Sequence, residues 1–203
     1  LFGQLDRILD GGGERLALVW QSLDRGQSVI LGRLWDGSNW GAEKRLSEGS
    51  GNAWTPSAAF GGGKLYIAWD SYNTGSYQGF VREWNDAAPH RVTVGDNFSV
   101  RPSVAVTRAG VPLIAWEESD PHWGKDFAFL TDRRGTPLYK NRRIQVVFAE
   151  GGAWRQAASV ADALPEQIRR YVQQPRLAVD DSGRAFLAFR SRTSTNTSRV
   201  DNW

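Results

Sequence analysis

Residues 52–85, NAWTPSAAFGGGKLYIAWDSYNTGSYQGFVREWN, contain three short strand-forming segments separated by two sharp turns. The three glycines at 61–63 can adopt positive φ without steric cost, so they predict a tight reversal after an inner strand of small apolar residues. The apolar run at 65–69, LYIAW, is typical of a β-strand covered on both faces. Polar residues at 70–76 predict a loop, and residues 77–84 predict the next strand.

The same pattern occurs three more times along the chain. Residues 102–116, PSVAVTRAGVPLIAW, and residues 175–189, PRLAVDDSGRAFLAF, repeat the proline, the turn glycine and the aromatic strand end. An earlier copy, GERLALVW, ends at Trp20 without a matching proline. The strand-ending aromatics at positions 20, 69 and 116 are 49 and 47 residues apart, which is the length of one propeller blade. The next interval, to Phe189, is longer and indicates an insertion.

This repeat predicts an all-β chain: a β-propeller of four-stranded antiparallel blades. The blades are predicted at 1–51, 52–97, 98–171 and 172–203, with an insertion at 155–171 and a truncated fourth blade. The result is an incomplete arc of about three and a half blades, whereas closed propellers have about four to eight. Because an open arc leaves strand edges bare, we expect the remaining blades to belong to the same longer protein, and self-association through the open edges. A dimer that completes the ring is the alternative.

The composition excludes several classes of function. The chain has no cysteine, so a disulfide framework, a thiol nucleophile and a thiolate metal site are excluded. No run approaches the ~18 apolar residues of a membrane span. The net charge of +3 is spread along the chain, and acidic residues interleave the arginine pairs, so no nucleic-acid partner is expected. Leu1 as the first residue suggests that upstream sequence, such as a signal peptide, has been removed.

Four motifs carry a resemblance to a known family. They are WDGSNW at 35–40, NAWTP at 52–56, IAWDS at 67–71 and VDDSG at 179–183. Together they resemble the sialidase-like (neuraminidase-type, BNR-like) β-propeller repeats of exported bacterial proteins. The Asp-box of that family, S-x-D-x-G-x-T-W, is absent, and VDDSGRAF keeps only its D-x-G core.

Two longer stretches give a narrower resemblance. WGKDFAFL at 123–130 and ALPEQIRRYVQQPRLAVDDSGRAFLAFRSRTS at 163–194 resemble the N-terminal propeller of large proteins of unknown function. In those proteins a domain similar to the PHP-type metal-dependent phosphoesterases follows the propeller. The resemblance therefore implies a secreted or periplasmic protein with a downstream domain as partner, and any hydrolytic metal centre lying beyond Trp203.

The propeller architecture brings two sets of side chains to one face, because inner strands start where second strands end. Trp54, Phe98 and Tyr171 precede inner strands. The candidate ligand-binding residues that follow second strands are Asp70, Tyr72, Glu117, Asp120, His122, Trp123, Lys125, Asp126 and Arg190. Aromatic faces beside carboxylates and cations suit a sugar or another polar ligand.

Each of these predictions has a structural alternative. Trp54, Phe98 and Tyr171 hold similar places in the repeat, so packing between blades is one explanation for them. Asp70 and Glu117 directly follow a tryptophan that ends a strand, and they could instead cap the loop backbone. The loop at 117–126 departs from the repeat and is rich in functional groups, so it is predicted to form the main concavity. The alternative there is that Trp123 folds inward and the charges only solvate the loop.

Catalysis and cofactors have less support. The resemblance implies that a sialidase needs an arginine cluster, a tyrosine nucleophile with its glutamate, and an aspartate as acid or base. Arg190 and Tyr72 are not singled out by spacing for those roles, and no catalytic residue is assigned. A lone histidine, His122, with nearby acids is a weak metal signal, since zinc sites usually need three or four ligands. No metal and no cofactor are predicted.

The expected function is a non-catalytic binding or scaffold module of a larger exported protein, with a glycan or another polar small molecule as ligand. One rival is an enzyme: part of a sialidase-like glycoside hydrolase whose missing blades carry the other catalytic groups. The second rival is a purely structural arc that positions a downstream metal-dependent hydrolase domain. Turnover of glycosides distinguishes the enzyme from the binding module.

Overall fold

The computed structural model of the chain describes residues 3–10, 13–73, 75–121, 142–169 and 172–191. Within them the strands form four antiparallel sheets, each a meander in chain order. The first sheet holds β1 (Gly3–Asp10), β2 (Gly13–Asp24), β3 (Gln27–Trp35) and β4 (Lys44–Arg45); the second holds β5 (Asn52–Gly61), β6 (Lys64–Asn73), β7 (Ser76–Glu83) and β8 (His90–Arg91). The third holds β9 (Phe98–Val106), β10 (Pro112–Ser119), β11 (Arg143–Glu150) and β12 (Ala153–Gln156); the fourth holds β13 (Val172–Val179) and β14 (Ala185–Ser191).

Consecutive sheets pack face to face, and one apolar core fills each seam. Trp69 of the second sheet packs with Val19 and Ile30 of the first. Trp116 of the third sheet packs with Ala68 of the second. The third seam is lined by Ala115, Ile144 and Val172, with Phe189 packed against them. The predicted fold class is confirmed: the chain is an incomplete β-propeller of antiparallel blades, with its core between the blades.

Two second strands are longer than the sequence predicted. The loops were expected to begin at Asp70 and at Glu117, but β6 continues to Asn73 and β10 continues to Ser119. The prediction was wrong because it ended each strand where the apolar run ends. Backbone pairing continues past that point, since Tyr72 lies opposite Tyr77. Both acids therefore lie within strands and not in loops.

The extra length of the third repeat falls in two connections. Residues 157–171 join β12 to β13 and contain two short 3-10 helices, Ala161–Ala163 and Glu166–Ile168. Residues 120–142 join β10 to β11. Most of this second connection lies outside the described residues. The insertion predicted at 155–171 stays a prediction. In the part of the chain that the structure covers, no helix is long and apolar enough to cross a membrane.

The seam between the first two sheets should depend on Trp69, whose side chain is only 2% exposed. Replacing Trp69 with alanine should cost roughly 3–5 kcal/mol of unfolding free energy, as large aromatic truncations in cores do. Denaturant unfolding measures the change. Trp40→Ala, at a residue that is 40% exposed, is the matched control and should change the midpoint much less. Equal midpoints for wild type and Trp69→Ala would contradict the packing described above.

Candidate functional site

Three of the four sheets have a strained backbone residue in their inner strand. Thr55, Arg101 and Gln174 have φ of 47°, 53° and 54°, and each directly precedes a proline. Positive φ is uncommon for residues other than glycine, and a residue before proline is normally extended. Each inner strand shifts register at this point, as in a β-bulge. Such a conformation persists only where its surroundings hold it in place.

A buried carboxylate of the preceding sheet holds two of these residues. The backbone N–H of Arg101 donates to Oδ1 of Asp70 at 3.0 Å, and the Thr55 hydroxyl donates to the same oxygen. In the next seam, the backbone N–H of Gln174 donates to Oε1 of Glu117 at 2.5 Å. The acids after Trp69 and Trp116 therefore each bind the residue before the proline of the following inner strand. We call this contact the carboxylate clasp.

A serine adds a second polar link beside each clasp. Ser57 Oγ accepts the backbone N–H of Val104 at 3.1 Å, and Ser103 Oγ accepts that of Leu177 at 2.9 Å. Both serines directly follow the proline of their own inner strand. These hydrogen bonds join inner strands that share no β-ladder, so the inner strands of the second, third and fourth sheets are joined by polar contacts.

Two guanidinium groups balance the charge of Glu117, which is 1% exposed. Arg101 Nη1 lies 3.2 and 3.1 Å from its two carboxylate oxygens, and Arg142 Nη1 lies 3.2 Å from Oε2. The Arg142 side chain is itself only 9% exposed and also donates to Gln173. A carboxylate that is removed from water is tolerable only with such partners.

Asp70 is also buried, at 3% exposure, but among the described residues no guanidinium pairs with its carboxylate. Burial raises the pKa of Asp70 to about 7, because the charged form loses its hydration. The backbone N–H and the positive charge of Arg101 oppose this increase in pKa, and the negative charge of Glu117 adds to it. The two clasps thus have the same geometry and different charge environments.

Three aromatic rings lie at the same end of the second sheet. The ring centroids of Tyr72 and Tyr77 are 4.7 Å apart, and those of Trp54 and Tyr77 are 5.7 Å apart. Tyr77 also packs edge-on against Phe98 of the third sheet at 5.1 Å. Phe98 is fully buried, whereas the other three rings are half-buried. We call Trp54, Tyr72 and Tyr77 the aromatic rim.

The strand register separates Trp54 from the packing residues. Trp54 lies opposite Asp70, and its equivalents opposite Glu117 and Arg190 are Val100 and Gln173. Phe98 instead corresponds to Asn52, since both are the first residues of their inner strands. The predicted equivalence of Trp54 with Phe98 was therefore wrong by two residues. Packing that is common to all blades does not explain a tryptophan at position 54.

The structure brings part of the predicted site together. Asp70 and Glu117 are buried in the clasps, and Tyr72 belongs to the aromatic rim. Asp120 is half-buried, with Oδ1 4.0 Å from Arg143, and Arg190 is exposed on β14, where it donates to Gln174 at 3.3 Å. The remaining predicted residues lie outside the described residues; they are His122, Trp123, Lys125, Asp126 and Tyr171. The ligand roles of this set stay predictions.

Sequence reasoning missed the strained residues before the prolines. Thr55, Arg101 and Gln174 share one visible signal, because each precedes the proline that opens a repeat. Arg142 had no such signal, since its partner Glu117 is 25 residues away. Among the described residues, no group of three or more His, Cys, Asp or Glu side chains is arranged to hold a metal ion.

Comparison with known proteins places the fold. No known protein-family profile matches the chain, and no curated protein matches it. The chain superposes on Trypanosoma rangeli sialidase with a TM-score of 0.51 and 12% identity, covering 98% of this chain and 37% of that one. The complex of Trypanosoma rangeli sialidase with sialic acid gives 0.52 and 11%, covering 92% and 33%. These values show the sialidase-like β-propeller fold, and the chain spans about a third of the sialidase.

A third solved structure is a fucose lectin from Kordia zhangzhouensis in complex with methyl-fucoside. It matches with a TM-score of 0.43 and 16% identity, covering 76% of this chain and 98% of the lectin.

The pKa of Asp70 predicts a pH dependence of stability. Between about pH 4 and pH 7 the folded protein holds a proton on Asp70 that the unfolded chain has lost, so raising the pH lowers the contribution of this group to stability. Above pH 7 that contribution is constant. Asp70→Asn keeps the acceptor oxygen and removes the charge. The stability of wild type minus that of the variant should therefore fall from pH 5 to pH 8, as measured by urea unfolding. Parallel curves would contradict the assignment.

The second clasp should depend on the charge of Glu117. Glu117→Ala removes the acceptor for Gln174 and a counter-ion of buried Arg142, so it should cost roughly 3–5 kcal/mol of unfolding free energy. Glu117→Gln keeps the shape and an acceptor, and it should cost less. Glu150→Ala is the surface control, because its pairing with Arg155 is exposed on both sides. A loss for Glu117→Ala no larger than that of the control would show that the clasp contributes little.

Proposed function

We propose that this chain is a non-catalytic binding and scaffold module of a larger exported protein. The proposed ligand is a carbohydrate or another small polar molecule, bound at the aromatic rim where the second and third sheets meet. The observation that carries the proposal is the half-buried rim of Trp54, Tyr72 and Tyr77, with Trp54 directly before Thr55, whose hydroxyl binds Asp70.

The rim supplies both kinds of contact that a sugar needs. A half-open ring face covers the apolar C–H face of a pyranose, while a few placed polar groups take its hydroxyls. Trp54 directly precedes Thr55, and the Thr55 hydroxyl and the backbone N–H of Arg101 bind the same oxygen of Asp70, so the Thr55 hydroxyl and the Arg101 backbone are neighbours. The Arg101 side chain is 43% exposed and uses Nη1 for Glu117. Its Nε and Nη2 atoms carry further N–H donors directed by the same planar group.

The clasps give the site its rigidity in this proposal. Asp70 and Glu117 fix the backbone at Arg101 and Gln174, and Asp70 also accepts the Thr55 hydroxyl, so these groups need little ordering when a ligand binds. The two acids thus position the site and do not contact the ligand. Tyr72 is a contact residue. Asp120 and Arg190 stay candidate contacts, and the predicted residues at 122–126 lie outside the described residues.

The occupied carboxylates favour binding over hydrolysis. A glycosidase needs one carboxyl group to donate a proton and another to act as base or nucleophile. The carboxylate oxygens of Asp70 and Glu117 instead accept hydrogen bonds from Thr55, Arg101, Arg142 and Gln174. The sialidase fold, seen in one structure with sialic acid, supports a sugar ligand only by analogy of fold.

The wider context of the module rests on sequence resemblance. Residues 163–194 resemble the N-terminal propeller of exported bacterial proteins with a downstream PHP-like metal-dependent domain. We infer that the partners of this chain are further propeller blades and such a domain of the same protein, in a secreted or periplasmic location. In this arrangement the metal-dependent domain performs hydrolysis, and the propeller binds and positions.

Binding to glycans tests the proposal. The wild-type chain should bind a subset of an array of neutral and sialylated glycans, and titration calorimetry should then give its affinity for the best of them. Trp54→Ala should weaken that affinity about tenfold or more, which is typical of a central aromatic contact. Tyr72→Phe, which keeps the ring, should have a smaller effect.

Matched controls separate a binding defect from misfolding. Trp40→Ala removes a more exposed tryptophan on the first sheet and should leave glycan affinity unchanged. The melting temperature of Trp54→Ala should stay within a few degrees of wild type. Release of fluorophore from 4-methylumbelliferyl glycosides, abolished by Asp70→Asn or Glu117→Gln, would replace the binding module with an enzyme. Unchanged glycan affinity in Trp54→Ala would exclude the rim as the site.

A further inference from the structure

The first sheet has a face that turns away from the second sheet. On β2 and β3, side chains alternate between the two faces, and those directed at the second sheet are buried in its seam, as for Val19 and Ile30. The opposite set is only half-buried or exposed. We call this set the leading face of the first sheet; it consists of Leu16, Leu18, Trp20, Leu31, Arg33 and Trp35.

The leading face repeats the face by which the second sheet packs on the first. The register pairs agree: Leu18 lies opposite Arg33 as Ile67 lies opposite Arg82, and Trp20 lies opposite Leu31 as Trp69 lies opposite Phe80. The equivalent residues on the second sheet are Leu65, Ile67, Trp69, Phe80, Arg82 and Trp84. Arginine and both tryptophans recur at the same places, and the other positions keep large apolar side chains.

On the second sheet, every part of this pattern has an observed role. Trp69 fills the seam against Val19 and Ile30. Arg82 reaches across to the first sheet, where its Nη1 donates to the carbonyl of Leu46 at 3.0 Å and to Glu48 at 2.8 Å. That guanidinium is buried at 5% exposure, because a carbonyl and a carboxylate just after the outer strand receive it.

The two faces differ in what covers them. Ile67 and Trp69 are fully buried, but Leu18 and Trp20 are half-buried, and Arg33 is exposed where Arg82 is not. The difference is the one expected if the leading face lacks, among the described residues, the neighbour that the second sheet has.

We propose that the leading face of the first sheet is a blade-docking surface, and that its partner is a further four-stranded propeller blade. That blade presents small and aliphatic side chains at the places of Ala17, Val19 and Ile30. After its outer strand it presents a main-chain carbonyl and a carboxylate, which receive Arg33 as Leu46 and Glu48 receive Arg82. The inference rests on the proposed place of this chain in a longer propeller, and it is independent of ligand binding.

A second copy of this chain fits the surface less well. In a second copy, the surface that would meet the leading face is the side of the fourth sheet that turns away from the third sheet. That side carries Phe186 where the first sheet has Ala17, and Arg190 where the second has Asp70. Phe186 is 54% exposed. A bulky ring and a cation replace the small side chain and the acceptor that the established seams use, so a blade of the first-sheet type is the better occupant.

An added blade tests the proposal directly. A second copy of residues 1–51 placed ahead of residue 1 supplies the face of Ala17, Val19 and Ile30, on which the second sheet packs. Because the chain has no cysteine, Leu18→Cys in the original copy is a unique thiol. It should react with a maleimide at least tenfold more slowly in the extended chain than in the 203-residue chain. Leu23→Cys, at a residue that is 73% exposed, should react equally in both.

Arg33 provides a second measurement that does not depend on the thiol variant. Arg33→Ala in the original copy should lower the melting temperature of the extended chain and leave that of the 203-residue chain unchanged. Arg15→Ala, at an exposed arginine of the same sheet, should change neither.

Equal labelling in both chains overturns the proposal. Protection that rises with the concentration of the 203-residue chain would assign the face to a second copy, and protection by glycans would assign it to a ligand. Loss of glycan binding in Trp54→Ala leaves these outcomes unaffected.

Discussion

The hydrogen bond between a buried carboxylate and the backbone N–H of a residue before proline is the contact on which this arc depends. Arg101 and Gln174 occupy a backbone conformation that costs roughly 1–3 kcal/mol each. Asp70 and Glu117 stabilise it from the preceding sheet. The same contact joins the second strand of one sheet to the inner strand of the next, and these strands share no β-ladder. One interaction therefore both joins neighbouring blades and stabilises the strained backbone. It also fixes the backbone position from which the Arg101 side chain extends.

Arg101 joins the two clasps to each other. Its backbone N–H binds Asp70 in one seam, while its guanidinium binds Glu117 in the next. The guanidinium therefore pairs with Glu117, while Asp70 accepts from backbone and hydroxyl donors among the described residues. This division gives two acids in equivalent positions different charge environments, and burial raises the pKa of Asp70 to about 7. The proton-sensitive seam is the one beside the aromatic rim.

The sequence was sufficient for the fold because the blade signal is local. A proline, a turn glycine and an aromatic strand end recur within fifteen residues, and the burial of Trp69 and Trp116 follows from that pattern. The clasps were not predictable in the same way, because Asp70 and Arg101 are 31 residues apart and Glu117 and Gln174 are 57 apart. An acid after a strand resembles a loop cap until its partner in the next repeat is known. Tyr77 was missed because only the strand register shows that it faces Tyr72.

The repeat also separates two kinds of half-buried tryptophan. Trp20 has a buried equivalent in Trp69, and Trp35 has an equivalent in Trp84 that packs against a seam. The first sheet packs against Trp69 and Trp84, so the partial exposure of Trp20 and Trp35 is explained by the lack of such a neighbouring sheet among the described residues. Trp54 has Val100 and Gln173 at its register position, so a seam does not require a ring there. In a repeat protein, an aromatic side chain without a repeat equivalent is therefore the better candidate for contact with a ligand, and one with a buried equivalent is the better candidate for contact with another blade.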